Sequence, residues 1–167
     1  MNVLYAAVNA LDLPFLNPYL DSVGAPNFQN GCNFATGGST ILPANAASTS
    51  PFSFGIQVAQ FVKFKTRVLE LLAKGISTMI ATTNKFKVND IFRELKCKFL
   101  GFVTEKKLQD YLPSEESFQQ ALYMFDVGQN DLDGAFYSKS EDQVLALTPI
   151  ILTEFETGIK VVLSIFA

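Results

Sequence analysis

The sequence predicts an α/β domain in which helical layers cover a parallel sheet. Two short apolar runs, residues 31–36 and 122–127, each lead into glycine and are typical of buried strands. Stretches with helical spacing lie before, between and after these runs, and strands that alternate with helices favour a parallel sheet. The chain has 167 residues, 49% of them hydrophobic, which is enough apolar material for the core of one domain.

The first half of the chain contains two predicted helices joined by irregular segments. Residues 3–11 place apolar side chains at helical spacing, and the prolines and glycines of 14–26 then indicate a connection. Residues 41–54, rich in Ala, Ser and Pro, predict a loop. The clearest helix is predicted over 56–74 with Gly75 as its stop. Its apolar stripe consists of Phe61, Phe64, Val68, Leu71 and Leu72.

Three further helices are predicted in the second half. One covers about 89–100, and Ser114 is suited to cap a short helix that runs into Leu122. The last helix is predicted to begin at Thr148-Pro149, because proline is tolerated at the first helical position. Its apolar face contains Ile151, Phe155, Ile159 and Val162.

Composition argues against several classes of function. The formal net charge is −3, which gives no electrostatic footprint for nucleic acid. No run of about 18 apolar residues predicts a membrane span, and the first residues lack the pattern of a signal peptide. Cys32 and Cys97 are expected as buried free thiols. A chain without histidine has no Cys/His zinc site, and we expect neither a metal nor a cofactor.

Two loops contain the residues that suit chemistry. Residues 31–40 and 128–131 each follow a predicted strand, and sites in open α/β sheets lie at the carboxyl ends of strands. Gly38 has no Cβ, so that a substrate oxygen can approach its backbone N–H, and Asn130 can offer an amide N–H to the same oxygen. Two such donors form an oxyanion hole. Taken singly, each loop is more often a structural turn.

The acidic residues near Asn130 are interpreted as structural. Asp131 and Asp133 are expected in a solvated turn rather than as an acid pair. A calcium loop over 126–137 is rejected, because Asp131 stands where such a loop needs glycine and Tyr137 where it needs glutamate.

Taken together, the two loops resemble the plant GDSL esterase/lipase family, a branch of the SGNH hydrolases. The resemblance rests on residues 31–39, Gly-Cys-Asn-Phe-Ala-Thr-Gly-Gly-Ser, and on 128–131, Gly-Gln-Asn-Asp, with support from 13–20 and 50–54. It extends over about 6–74 and 106–160. It implies a three-layer α/β sandwich with a parallel sheet, present here in part, and hydrolysis of carboxylic esters. It also implies that Gly38 and Asn130 are oxyanion-hole donors.

The chain departs from the family pattern at the catalytic groups. The family nucleophile lies in a Gly-Asp-Ser motif and its base in an Asp-x-x-His motif; this sequence contains neither, and Asp21-Ser22 follows Leu20 rather than glycine. Losing a nucleophile or base of this kind costs roughly a million-fold in rate. We therefore expect a truncated and inactive member. A non-catalytic binding or regulatory protein that keeps the oxyanion loops is the alternative, and an enzyme with another mechanism ranks third.

Two stretches are unlike the family within one predicted domain over 1–167. Residues 75–105 are expected as a non-family insertion, and residues 161–167 as a non-family tail. Translated non-coding sequence is the favoured explanation, and a genuine helical insertion is the alternative.

Partners and location follow from the same features. An ester is the expected ligand, and an uncovered strand edge predicts self-association. Complete relatives are usually secreted, whereas no signal peptide is recognised here.

Overall fold

The computed structural model describes residues 10, 12, 14–21, 26–45, 50–85 and 110–166, with the backbone alone for 76–85. The described elements are β1 (Asn17–Pro18), β2 (Cys32–Asn33), α1 (Phe54–Lys85), α2 (Glu115–Gln120), α3 (Gln129–Ser138) and α4 (Glu141–Ser164), with a 3-10 turn at Pro43–Asn45. β1 pairs with β2 in a two-stranded sheet. None of the described helices is both long enough and apolar enough to cross a membrane. The helices predicted over 3–11 and 89–100 lie, apart from Ala10, outside the described residues.

The chain divides into two compact units. Among the described residues, the first comprises 10, 12, 33–45, 50–63 and 122–166, and the second comprises 14–21, 26–32, 64–85 and 110–121. Most described residues are helical, so the predicted sheet is represented by only two short strands.

The core of the first unit forms around the first turns of α1. Phe54 contacts the rings of Phe125 and Phe155, with centroids 5.7 and 5.1 Å away. Phe61 contacts the rings of Phe34 and Tyr123 in the same way, at 5.8 and 5.4 Å. The buried apolar residues of this unit are Ile41, Phe54, Val58, Phe61, Ala135, Val144, Ile151 and Val162.

The core of the second unit forms around Phe64, one turn further along α1. Its ring meets those of Tyr19, Phe28 and Phe118 edge to face, at 6.2, 5.3 and 6.1 Å. Such pairs stabilise by about 0.5–1.5 kcal/mol beyond the area they bury. Val68 is also buried, and Ser114 caps α2 by accepting from the Ser117 N–H at 3.1 Å. The buried Phe61, Phe64 and Val68 and the Ser114 cap are confirmed.

The predicted end of the long helix is wrong. α1 begins at Phe54 and continues through Gly75 to Lys85. Glycine ends a helix only where the chain turns into the left-handed region, and inside a helix it costs no more than about 1 kcal/mol relative to alanine.

The predicted strand over 122–127 is also absent. These residues are in neither a helix nor a strand, and Leu122, Met124 and Phe125 are exposed. A strand needs a neighbour to pair its N–H and C=O groups, and no described residue pairs with this stretch.

The last helix begins earlier than predicted. α4 starts at Glu141, where Ser140 and Gln143 form a capping box, and Pro149 lies inside it. The proline removes one backbone N–H, which leaves the carbonyl of the exposed Leu145 without its helical partner. Capping at Ser140, whose N–H donates to the Gln143 side chain at 3.0 Å, thus outweighs the preference of proline for the first turn.

Candidate functional site

The loop after β2 is shaped by a turn that ends at Ser39. The Ser39 N–H donates to the Thr36 carbonyl at 3.2 Å, and Gly38 has a φ of 77°. A left-handed residue at the third position of a four-residue turn favours glycine, because a Cβ would be strained there. The Gly38 N–H donates to no acceptor among the described residues, so it is available to a ligand oxygen.

Side chains then hold this loop against the start of α1. The Ser39 hydroxyl donates to the Phe52 carbonyl and accepts from the Gln57 side chain. The Phe54 N–H donates to the Thr40 carbonyl at 2.7 Å. Ser39 and Thr40 are buried. The hydroxyl of Ser39 is therefore committed to structure and is poorly placed to act as a nucleophile.

Asn130 meets this loop from the first turn of α3. The helix follows Gly128, whose φ of 112° and whose approach to the Ile41 side chain leave little room for a Cβ. The Asn130 Nδ2 donates to the Ser39 carbonyl at 2.8 Å. The structure thus brings together the two loops that the sequence singled out, with Asn130 bonded to the residue next to Gly38. One of the two Nδ2 hydrogens makes this bond, and the other has no acceptor in the described chain.

Asp131 is not the solvated turn residue that the sequence predicted. Only 1% of its surface is exposed. Its carboxylate accepts from the Ile41 N–H at 2.6 Å, the Leu42 N–H at 3.0 Å and the Asn45 Nδ2 at 2.9 Å. The prediction failed because the partners lie about 90 residues away in sequence. Asp133, by contrast, is exposed as expected.

No replacement for the missing nucleophile or base is apparent in the described chain. Cys32 is a half-buried free thiol, and burial raises its pKa to about 12. A thiol with that pKa holds its proton at neutral pH and is a weak nucleophile. Within the described ranges, no group of three or more carboxylate or cysteine side chains could hold a metal ion. Cys97 lies outside those ranges.

Sequence reasoning missed three residues of this site: Ser39, Gln57 and Asp131 as an anchor. For Asp131 the sequence contained a signal. Asp131 directly follows Asn130, so that it lies near the loop that the Asn130 side chain reaches. For Gln57 nothing in the local pattern distinguished an exposed glutamine from one that reaches the loop.

A backbone N–H and an amide N–H on adjoining loops are typical of hydrolases that stabilise an oxyanion. Comparison with known proteins identifies the family of the chain. The chain belongs to the GDSL-like lipase/acylhydrolase family, whose profile matches residues 4–164. The family resemblance stated from the sequence is thereby confirmed. Family membership implies an α/β hydrolase-like fold, and the largely helical structure with its small sheet is consistent with part of one.

Curated relatives agree with this assignment. The chain is 49% identical over 153 residues to GDSL esterase/lipase At1g54790 and 47% identical over 153 residues to GDSL esterase/lipase At3g05180, both of Arabidopsis thaliana. It is 35% identical over 156 residues to Alpha-L-fucosidase 3 of the same plant. The matches cover 90–92% of this chain but 30–34% of each relative, so the chain spans about a third of their length. No solved structure matches the chain.

Proposed function

We propose that this chain carries the oxyanion-stabilising loops of a carboxylic ester hydrolase and that residues 1–167 alone do not hydrolyse esters. One observation supports this most: Asn130 is hydrogen-bonded at 2.8 Å to the residue that follows Gly38. This bond supports the proposal that the two candidate donors serve one ligand oxygen. The finer architecture, a parallel sheet between helical layers, is part of the same proposal.

The chemistry of the two donors is charge stabilisation. When a nucleophile adds to an ester carbonyl, the oxygen becomes negative, and N–H groups of Gly38 and Asn130 would donate to it. One such donor contributes on the order of 3 kcal/mol in the transition state. The donors act on charge that forms after attack, so they cannot supply the attack itself.

The groups that would begin the reaction are not found in residues 1–167. The sequence has no histidine and no Gly-Asp-Ser. Without a base, a serine hydroxyl is a poor nucleophile. Asp131 is no substitute base, because its carboxylate is occupied by three donors.

The substrate class follows from the family only in outline. Two relatives are named as esterase/lipases and one as an α-L-fucosidase. We propose an ester as the ligand, because a carbonyl oxygen is what paired N–H donors recognise.

The domain boundaries are a further part of the proposal. Residues 75–105 are proposed as an insertion relative to the family, and residues 161–167 as a tail outside it, within one domain over 1–167. Transcript reads that cross the codons of Lys74 and Glu105 test the insertion. Reads that join these two codons directly would indicate translated non-coding sequence, and reads that always contain the intervening codons would indicate a genuine insertion.

An activity assay tests the central proposal. Residues 1–167 and the Asn130→Ala variant are assayed with a chromogenic short-chain ester, a chromogenic α-L-fucoside and a fluorophosphonate serine probe, with circular dichroism to establish folding. We expect no turnover above buffer and no labelling. Ester turnover that disappears in Asn130→Ala would show that the chain is a working hydrolase.

A further inference from the structure

The buried carboxylate of Asp131 makes three hydrogen bonds that play no direct part in the proposed ester chemistry. It lies in the first turn of α3 and receives three donors from one short segment. These are the consecutive backbone N–H groups of Ile41 and Leu42 and the side chain of Asn45 in the 3-10 turn. The described part of the chain contains no buried side-chain polar atom that lacks a partner, so this cluster is fully satisfied.

The segments that Asp131 joins are the ones that contain the two donors. Ile41 lies three residues after Gly38, and Asn130 directly precedes Asp131. The Asn130 Nδ2 bond to the Ser39 carbonyl runs beside the Asp131 bonds, at 2.8 Å. Asp131 and Asn130 therefore hold the segment after Gly38 at two points, Asn130 at the Ser39 carbonyl and Asp131 at the N–H groups of Ile41 and Leu42.

The arrangement requires a carboxylate rather than an amide. Oδ2 accepts from Ile41 while Oδ1 accepts from both Leu42 and Asn45. An asparagine would place an NH2 group against at least one of these N–H donors, and two donors cannot bond to each other. Hydrogen bonds to an ionised acceptor are also the shorter and stronger ones.

We propose that Asp131 is a positioning residue, which sets the spacing of the oxyanion donors Gly38 and Asn130 by anchoring residues 41–45 to α3. This rests on the proposed oxyanion role of those two residues. Asp131 itself touches no reacting atom.

The test follows the Asn130 side chain by NMR. The chain is labelled with ¹⁵N-asparagine, and the Asn130 amide pair is identified as the signal that is lost in Asn130→Asp. In Asp131→Asn we expect this pair to move towards the position of a solvated asparagine. In a uniformly ¹⁵N-labelled sample we also expect the Ile41 and Leu42 N–H groups to exchange with solvent about ten- to a hundredfold faster, as for loss of a bond to a charged acceptor.

Two controls separate positioning from stability. Asp133→Asn makes the same chemical change at an exposed site on the same helix and should leave the Asn130 signal in place. Val162→Ala should destabilise the same unit by leaving a cavity at a buried position of α4, again without moving the signal. An unmoved Asn130 signal in folded Asp131→Asn, or an equal shift in Val162→Ala, would overturn the positioning role.

Asn45→Ala decides the matter if Asp131→Asn does not fold. It removes one of the three donors and should shift the Asn130 pair in the same direction by a smaller amount; no shift would overturn the proposal. Because this readout needs no turnover, it is independent of the ester assay. Activity in the isolated chain would refute the proposed inactivity and leave the spacing result intact.

Discussion

Two regions of the first unit differ in how completely their side chains find partners: the polar groups of one are hydrogen-bonded, and the apolar side chains of the other remain exposed. The first consists of the oxyanion loops, residues 31–40 and 128–131, together with residues 41–45 that Asp131 anchors; Ser39, Thr40 and Asp131 are buried and hydrogen-bonded there. The second is the outer apolar surface. It consists of Leu122, Met124 and Phe125, Leu132 and Phe136 of α3, and Leu145, Ile150, Leu152, Val161 and Leu163 of α4, all exposed.

The difference reflects how many neighbours each kind of interaction needs. A hydrogen-bond cluster closes as soon as two segments meet, since each donor needs only one acceptor. Apolar side chains need a whole layer of neighbours before they leave water. The outer apolar surface is therefore where we expect association, as the sequence predicted from an uncovered strand edge.

The largest loss of stability is expected from removing the Asp131 carboxylate, which lies at the centre of the oxyanion loops. Asp131→Ala removes an acceptor that is 1% exposed and leaves three N–H donors without it. Each donor left without its acceptor in the interior costs about 1–3 kcal/mol, so we expect a loss of at least about 3 kcal/mol. Urea unfolding followed by circular dichroism measures the loss of unfolding free energy.

Asp133→Ala is the matched control for that variant, since Asp133 is exposed on the same helix. It should change the free energy of unfolding by no more than about 0.5 kcal/mol. Equal effects of the two substitutions would mean that the oxyanion loops are no more tightly held than the surface.

An intermediate effect is expected where α4 meets the core. A Cβ at Gly158 would lie 2.3 Å from a ring carbon of Phe54, whose N–H bonds to the Thr40 carbonyl. Overpacking of this kind costs about 1–3 kcal/mol, so Gly158→Ala should lower the free energy of unfolding by that amount.

Gly134→Ala provides the comparison for this change. Gly134 lies inside α3, where an added Cβ meets nothing within 4 Å. Alanine there should stabilise the chain by about 0.5–1 kcal/mol. If Gly158→Ala stabilised it equally, the close approach of α4 to Phe54 would be refuted.

Sequence reasoning succeeded where the determining interactions are local. The stripe of Phe61, Phe64 and Val68 is encoded by helical spacing, and Ser114 lies three residues from the N–H it caps. The meeting of the two loops, where Asn130 donates to the Ser39 carbonyl, was accessible because each loop has a recognisable sequence.

Sequence reasoning failed where partners are distant or absent. Residues 122–127 have the pattern of a strand, but pairing requires a neighbouring strand that pattern alone cannot provide. Asp131 resembled any acidic turn residue, because the donors to its carboxylate lie 86–90 positions away. Pro149 was placed at a helix start because the capping box at Ser140 was not weighed against it.

The smallest effect on stability, and the sharpest test of the outer apolar surface, is expected on the exposed face of α4. Leu145, Leu152 and Leu163 lie 7 and 11 residues apart, so that they share one face of the helix, and each is about 60% exposed. Leu145→Lys with Leu152→Lys should change the free energy of unfolding by no more than about 0.5 kcal/mol. Burying a leucine side chain is favourable by about 1.5–3 kcal/mol, so if this face forms the contact, the double variant should associate only at concentrations at least about tenfold higher.

Sedimentation velocity over a concentration series measures that shift. Ala146→Lys with Thr157→Lys is the control, because it adds the same charge to exposed positions on another face of α4. If both pairs suppress association equally, added positive charge rather than the leucine face is responsible. A wild-type chain that stays monomeric throughout the series would instead show that its exposed leucines are tolerated in water. The outer apolar surface would then differ from the oxyanion loops in burial but would not drive association.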